Sequence, residues 1–485
     1  MTRSTIETVP MFIGGARRAA ADGAVVDAIN PATGELIGRF PDATKADVDD
    51  AVKASSAAFA QWRRSAPHER AAVLNTIADV VADHAEELAN LDVADNGSPI
   101  REMRKDAGAA TAQLRYFAGL VLQRRGHTVP SEFGKLNYSL PQPYGVVARI
   151  IPFNHPLMFA AAKIAAPLAA GNSVIIKPSE HTSLSALRLA ELLDGVIPPG
   201  LVQFVTGRGA TAGDALVTHP NIRRLSFVGS AETGRSILRR ANEERLKNVT
   251  LELGGKNPLV IFADADQDAA VAAAQGGMNF TWQGQSCGST SRLLVHDDIY
   301  DSFVERLAGQ VEEMRSGLPA DEATDTGAII NAQQFEKVND YIRLGGSEGA
   351  RLVAGGTSLD DGPFARGLFV RPTVFADVRP ESRLAQEEIF GPVLAVIRFR
   401  DYDEAIRIAN GVRYGLAASV FTRDLAVAHR FADDVEAGYV WVNEVSRHLP
   451  GMPFGGVKDS GLGRDEDLGE LLSYTETKSV HVNYG

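Results

Sequence analysis

Hydrophobic and polar positions follow three different rhythms along the chain, and each predicts its own architecture. Short apolar runs punctuated by Gly14-Gly15 and Asn30-Pro31-Ala32-Thr33-Gly34 predict brief strands and turns over residues 10–40. From Ala43 to about Gln123 the spacing turns helical. Thr44 is placed to cap a helix from Lys45 that carries Val48, Ala51, Val52 and Phe59 on one face. Two more helices are expected around 67–94 and 99–123, with Arg101, Arg104 and Lys105 on solvated faces.

At Tyr144 the rhythm changes to strand–helix alternation. Nearly unbroken apolar runs predict buried strands at 145–151, 173–176, 201–205, 224–228 and 249–253. Helices are expected between them at 157–169, 184–193, 211–217 and 231–244. Such alternation builds parallel βαβ units and a doubly wound sheet, with ligands at the carboxyl ends of the strands. After a hinge at Gly254-Gly255-Lys256-Asn257-Pro258, a second alternation runs to about Asn443, with strands near 258–262, 291–295, 369–375, 393–398 and 439–442. Two polar, strand-like segments fit neither sheet: His127–Pro143 and the alternating Ser479–Tyr484. Edge strands without a sheet of their own predict an arm that pairs with another subunit.

Composition narrows the function classes. A chain of 485 residues is long enough for two or three domains, and 45% hydrophobic with 23% charged residues is an ordinary globular balance. The net charge of −12 disfavours nucleic acid and anionic membranes as partners. A single cysteine rules out an internal disulfide and fits a reducing compartment. Residues 1–8 show no apolar secretory core, and the greasiest stretch, Leu157–Ala170, is short and broken by Lys163. A cytoplasmic protein is expected.

That one cysteine, Cys287, lies among small residues in Gln283-Gly284-Gln285-Ser286-Cys287-Gly288. By itself a lone cysteine is more often an inert small hydrophobe than a nucleophile. Glu252 breaks an apolar strand, and a carboxylate there is either a general base or one half of a structural ion pair. Asn154, in Pro152-Phe153-Asn154-His155-Pro156, is a candidate oxyanion donor or a turn residue. Phe227-Val228-Gly229-Ser230 ends a strand and opens a helix, which suits a pyrophosphate, although a plain capped turn reads the same way. Gly207–Gly213 has one residue too many for the usual dinucleotide fingerprint. Lys177 and Glu180 end another strand and suit ribose hydroxyls; the carboxylate would repel a 2′-phosphate, favouring NAD over NADP.

Seven motifs in order then carry a resemblance. They are Pro-Phe-Asn-His-Pro (152–156), Ile-Lys-Pro-Ser-Glu (176–180), Phe-Val-Gly-Ser (227–230) and Leu-Glu-Leu-Gly-Gly-Lys (251–256). Gly-Gln-Ser-Cys (284–287), Glu-Glu-Ile-Phe-Gly-Pro-Val (387–393) and Pro-Phe-Gly-Gly-Val-Lys-Asp-Ser-Gly (453–461) complete the set. Across nearly its whole length the chain resembles the NAD(P)-dependent aldehyde dehydrogenase superfamily. The resemblance implies an α/β fold of two doubly wound parallel-sheet lobes and a β-arm for dimers or tetramers. The expected division is a cofactor domain over 1–124 and 144–254, a catalytic domain over 255–470, and an arm over 125–143 and 471–485. It also implies roles. Cys287 is the nucleophile and Glu252 the general base. Asn154 supplies the oxyanion hole, and Lys163 a proton relay. Cofactor contacts fall on Ile151, Pro152, Phe153, Lys177, Ser179, Glu180, Gly209, Gly213, Phe227, Gly229, Ser230, Leu253, Gly254, Glu388 and Phe390. Asn443 supports the Cys287 loop. No metal is implied.

Departures from the family pattern concern the substrate. His155 stands where an aromatic residue is more usual, Ala162 is small where many relatives carry a ring, and Gly288 is small as well. With Ser286, Ser446, His448, Leu449 and Phe454, these are the expected pocket residues, and they suit a bulky aromatic, branched or terpenoid aldehyde. Glu252 weighs against a coenzyme A-acylating variant, and a cofactor-free thiol hydrolase is the alternative from another class.

Overall fold

The computed structural model describes residues 8–485. The expectation that the extreme N-terminus has no secretory core falls largely on residues outside these. Among the described residues, no helix is long and apolar enough to cross a membrane.

Two twisted sheets carry the molecule. The first has eight strands, in the order Ala16–Arg18, Met11–Ile13, Val202–Phe204, Ser173–Lys177, Val146–Ile150, Ile222–Gly229, Asn248–Leu253 and Gly461–Leu462. The middle five are parallel. From Val146–Ile150 the chain winds outward in one direction, then returns to add Ile222–Gly229 on the other side. That reversal is the switch point at which α/β sheets open a crevice. The second sheet has seven strands, six of them parallel, centred on Pro258–Ile261 and Arg292–His296.

Local chemistry explains the elements that flank the crevice. Helix Pro156–Ala170 starts with proline at its first position and stops at Gly171, whose φ of 94° only glycine adopts easily. It is buried almost all round, wedged between the first sheet and helix Ile100–Gly119. Thr44 caps helix Lys45–Trp62 in a reciprocal box with Asp47.

Several boundaries differ from the periodicity. The helix expected over 67–94 breaks at His84 into Pro67–Asp83 and Ala85–Asn96, because His84 leaves helical geometry (φ −109°, ψ 15°). The strand expected over 369–375 splits into Phe369–Val370 and Thr373–Ala376 around Pro372, which has no N–H to give to a ladder. Strand Gly461–Leu462 joins the first sheet, and helix Leu468–Ser473 packs on Pro156–Ala170. Residues 461–473 therefore return to the first lobe ahead of the expected boundary at 470. The arm segments form one antiparallel sheet, in which Thr475–Asn483 pairs with Lys135–Pro143 over its whole length.

Candidate active site

Two cavities adjoin, and Val228 lines both. The first, about 600 Å³, opens at the carboxyl ends of the first sheet. Ile151, Pro152 and Phe153 leave one strand, Lys177, Ser179 and Glu180 the next, and Phe227, Gly229 and Ser230 a third; Gly209 and Gly213 close the far side. Ser230 caps helix Ala231–Ala241 by accepting from Thr233 N–H at 3.2 Å, so the capped-turn reading and the cavity wall coincide in one residue. Lys177 is buried, donates to its neighbour's carbonyl at 2.9 Å, and lies 3.8 Å from Glu180. Burial lowers its pKa.

The second cavity, about 340 Å³, holds Cys287, Glu252, Lys163, Leu253, His155, Ser286, Gly288, Ser446, His448 and Phe454 in its walls. Cys287 sits in a loop that follows the short helical turn Phe280–Trp282. A Cβ at Gly284, whose φ is 64°, would lie 2.2 Å from Gly391 O, so only glycine lets the loop turn there. Asn257 Nδ2 donates to the carbonyls of Cys287 (2.7 Å) and Ser289 (3.0 Å) and fixes the loop. Loss of water around the sulfur, reinforced by the charges of Glu388 and Glu252, pushes the thiol up to about 12.

Glu252 is held in register by Val228 on one side and Gly461 on the other. Only 6% of it is exposed, and neither carboxylate oxygen has a partner. Burial, with Asp465 nearby, raises its pKa well above the ordinary range. Lys163 does not reach it by a hydrogen bond; its ammonium donates to Asp465 at 2.6 Å. Asp465 also accepts from Arg149, which in turn pairs with Glu470 at 2.7 Å. Burial works against the Lys163 ammonium, but Asp465 overrides it and holds its pKa up. Asn154 is buried, with its side-chain oxygen unpaired. Asn96 Nδ2 donates to Phe153 O at 2.6 Å and anchors that turn.

Glu388 accepts from Gly255 N–H at 3.1 Å. A Cβ at Gly254 would fall 2.0 Å from the same carboxylate, so glycine permits the approach. Phe390 holds a left-handed backbone (φ 59°), locked by Gln334 Nε2 donating to the carbonyls of residues 389 and 390 at 2.8 Å. Its ring meets Phe153 edge-on at 5.7 Å.

Three expectations are corrected. Ala162 is buried but does not line the cavity; Met158 and Phe159 take that face of the helix. Leu449 is exposed and also outside the lining. Asn443 pairs with Thr422 rather than with the Cys287 loop, and Asn257 does the work expected of it. Sequence reasoning missed Asn257, Asp106, Trp282 and Asp465. Their partners lie far along the chain, so no local spacing signals them. Among the described residues no cluster suits a metal ion.

A dinucleotide fits the first cavity on three observations. The space lies at a switch point, a capped eleven-residue helix begins at its wall, and a carboxylate beside a buried lysine suits paired ribose hydroxyls.

Comparison with known proteins agrees. The profile of the aldehyde dehydrogenase family matches residues 18–480. Aldehyde dehydrogenase tropH of Talaromyces stipitatus is 47% identical over 95% of this chain and 90% of its own. Aldehyde dehydrogenase [NAD(P)+] 2 of Saccharomyces cerevisiae is 40% identical over 98% of this chain and 95% of its own. Among solved structures, PnpE from Pseudomonas sp. WBC-3 superimposes with a TM-score of 0.96 at 42% identity, covering 98% of each chain. PnpE has also been solved in complex with nicotinamide adenine dinucleotide.

Proposed function

The chain belongs to the aldehyde dehydrogenase family, and from that premise we propose that it converts an aldehyde to the carboxylic acid through a covalent adduct on Cys287. The enzyme class is NAD(P)-dependent aldehyde oxidation, with NAD as cofactor. The observation that carries the assignment of residues is the cavity that brings the sole thiol and an unpaired buried carboxylate together.

Lys177 and Glu180 would hold the adenosine ribose, Gly229 and Ser230 the pyrophosphate, and Glu388 and Phe390 the nicotinamide end. NAD, when bound, would supply the hydride acceptor for the oxidation. Cys287 gives up its proton to solvent and adds through sulfur to the carbonyl carbon. The growing charge on oxygen meets the Asn154 amide and the Cys287 N–H; one such donor is worth about 3 kcal/mol. Oxidation leaves a thioester on Cys287. Glu252 then takes a proton from water, the water oxygen attacks the thioester, and the acid departs as the thiol is restored. Both Glu252 oxygens are enclosed, so the carboxylate turns toward the cavity to reach that water. Lys163 and Asp465 are positioning residues that hold the charge behind it.

A roomy cavity walled by Ser286, Gly288, Phe159 and Trp282 supports a bulky aldehyde as substrate. The arm sheet supports a homo-oligomer, and a free catalytic thiol supports a reducing, cytoplasmic setting.

The test follows NADH and acid together. Cys287→Ala is expected to abolish both while NAD still binds. Glu252→Gln is expected to keep the first turnover of NADH and to slow steady turnover by about 10²–10⁴-fold. Sustained turnover by the alanine variant, or acid release without NADH, would refute the reading; the latter outcome marks a thiol hydrolase.

A further inference from the structure

The second cavity contains a polar pair that the oxidation chemistry leaves unused. His155 precedes helix Pro156–Ala170, and its Nδ1 lies 2.9 Å from Asp106 Oδ2. Asp106 belongs to helix Ile100–Gly119, and the side chains of both line the cavity. The histidine ring is held from two further sides, by Phe159 at 5.8 Å and Trp282 at 5.6 Å. Asp106 is 6% exposed at its side chain, whereas His155 keeps 14%. A buried carboxylate fixes the proton on Nδ1, so Nε2 is left as a hydrogen-bond acceptor in a largely aromatic wall.

Charge decides which group that acceptor suits. Lys105 is paired with Glu102 at 2.9 Å, Lys163 with Asp465 at 2.6 Å and His448 with Glu466 at 3.1 Å. Glu252 has no partner at all. Among the described residues, each cation in the cavity wall already faces an acid, and the wall adds the Asp106 carboxylate, so a substrate carboxylate is disfavoured there. A hydroxyl needs no counter-ion and donates to Nε2.

We propose that the preferred substrates are uncharged aromatic aldehydes carrying a hydroxyl on a short ring substituent, read by His155 with Asp106 as its positioning residue. This rests on the aldehyde-oxidising reading above. His155 is then a specificity-determining residue: it selects among aldehydes without touching the reacting carbon.

The experiment compares kcat/KM for meta- and para-(hydroxymethyl)benzaldehyde with the matching tolualdehydes and with para-carboxybenzaldehyde. The parent is expected to favour the hydroxymethyl compound by about tenfold or more at one ring position at least, with the carboxylate slowest. His155→Phe is expected to bring the hydroxymethyl-to-methyl ratio to about one. Asp106→Ala lowers the same ratio, chiefly through KM, whereas Asp106→Asn, whose amide oxygen still accepts from Nδ1, retains it. A parent ratio at or below one needs no variant to overturn the proposal. An unchanged ratio in a folded His155→Phe also overturns it and leaves the pair purely structural. NADH production with a flat ratio sinks this proposal alone; no NADH from any of these aldehydes sinks the oxidation reading and this one with it.

Discussion

A thiol pushed up to about 12 by burial is almost wholly protonated at neutral pH. In the cofactor-free protein, alkylation of Cys287 by iodoacetamide is therefore expected to be slow at neutral pH and to quicken roughly tenfold per pH unit above it. Since Cys287 is the only cysteine, one mass increment reports it without ambiguity. A rate that levels off near pH 8 would contradict the half-buried, protonated thiol. Cys287 and Glu252, which line one cavity, stand out in the sequence because each breaks a local pattern: a lone thiol and an acid in an apolar strand. Asn257 does not. It follows Lys256 in an unremarkable turn, and the carbonyls it holds are 30 and 32 residues away. Asp106 looks like one more helix charge until the fold sets it against His155.

Elements owe their positions to polar groups that periodicity treats as surface. Helix Ala85–Asn96 turns two acids inward: Asp92 accepts from Leu157 N–H at 2.9 Å and Asp95 from Leu184 N–H at 3.0 Å. Each carboxyl thus caps the start of a neighbouring helix, including the one that carries His155 and Lys163. Burial raises Asp92 to about 8 and Asp95 to about 7. An unfolded aspartate titrates near 3.9, so between about pH 4 and pH 8 the folded chain binds more protons than the unfolded one. The stability these carboxyls add is full below the unfolded pKa and is lost as pH rises through the folded values. Asp92→Asn keeps an oxygen for Leu157 N–H and no longer titrates. Its unfolding midpoint is expected to fall less than the parent's between about pH 5 and pH 8. Parallel slopes for parent and variant would exclude a proton held by Asp92. Strands and helices of ten or so residues were legible from apolar rhythm alone. The break at His84 was not, because hydrophobic spacing continues through it.

At the scale of the molecule, the two lobes and the arm follow from where apolar runs begin and end. The return of Gly461–Leu462 to the first sheet does not, since a two-residue strand pairing with one some 210 positions earlier leaves no periodic trace. The arm has the opposite character. Thr475–Asn483 lies at the margin of its sheet, paired on one side only. Leu136 and Leu140 stand exposed as the second and sixth residues of the adjoining strand, and that even spacing puts them on the same face. An open edge beside exposed leucines is a liability for a lone chain and an interface for an assembly. The protein is therefore expected to run in multi-angle light scattering as a dimer or tetramer. Leu136→Asp with Leu140→Asp should shift it toward the single-chain mass, because a charge placed in an apolar interface costs about 2 kcal/mol or more. Oxidation of an aldehyde by the dissociated chain should persist in part, since both cavities are built from one copy. A parent that already runs as a monomer, or a double variant with unchanged mass, would mean that the arm serves some purpose other than joining copies.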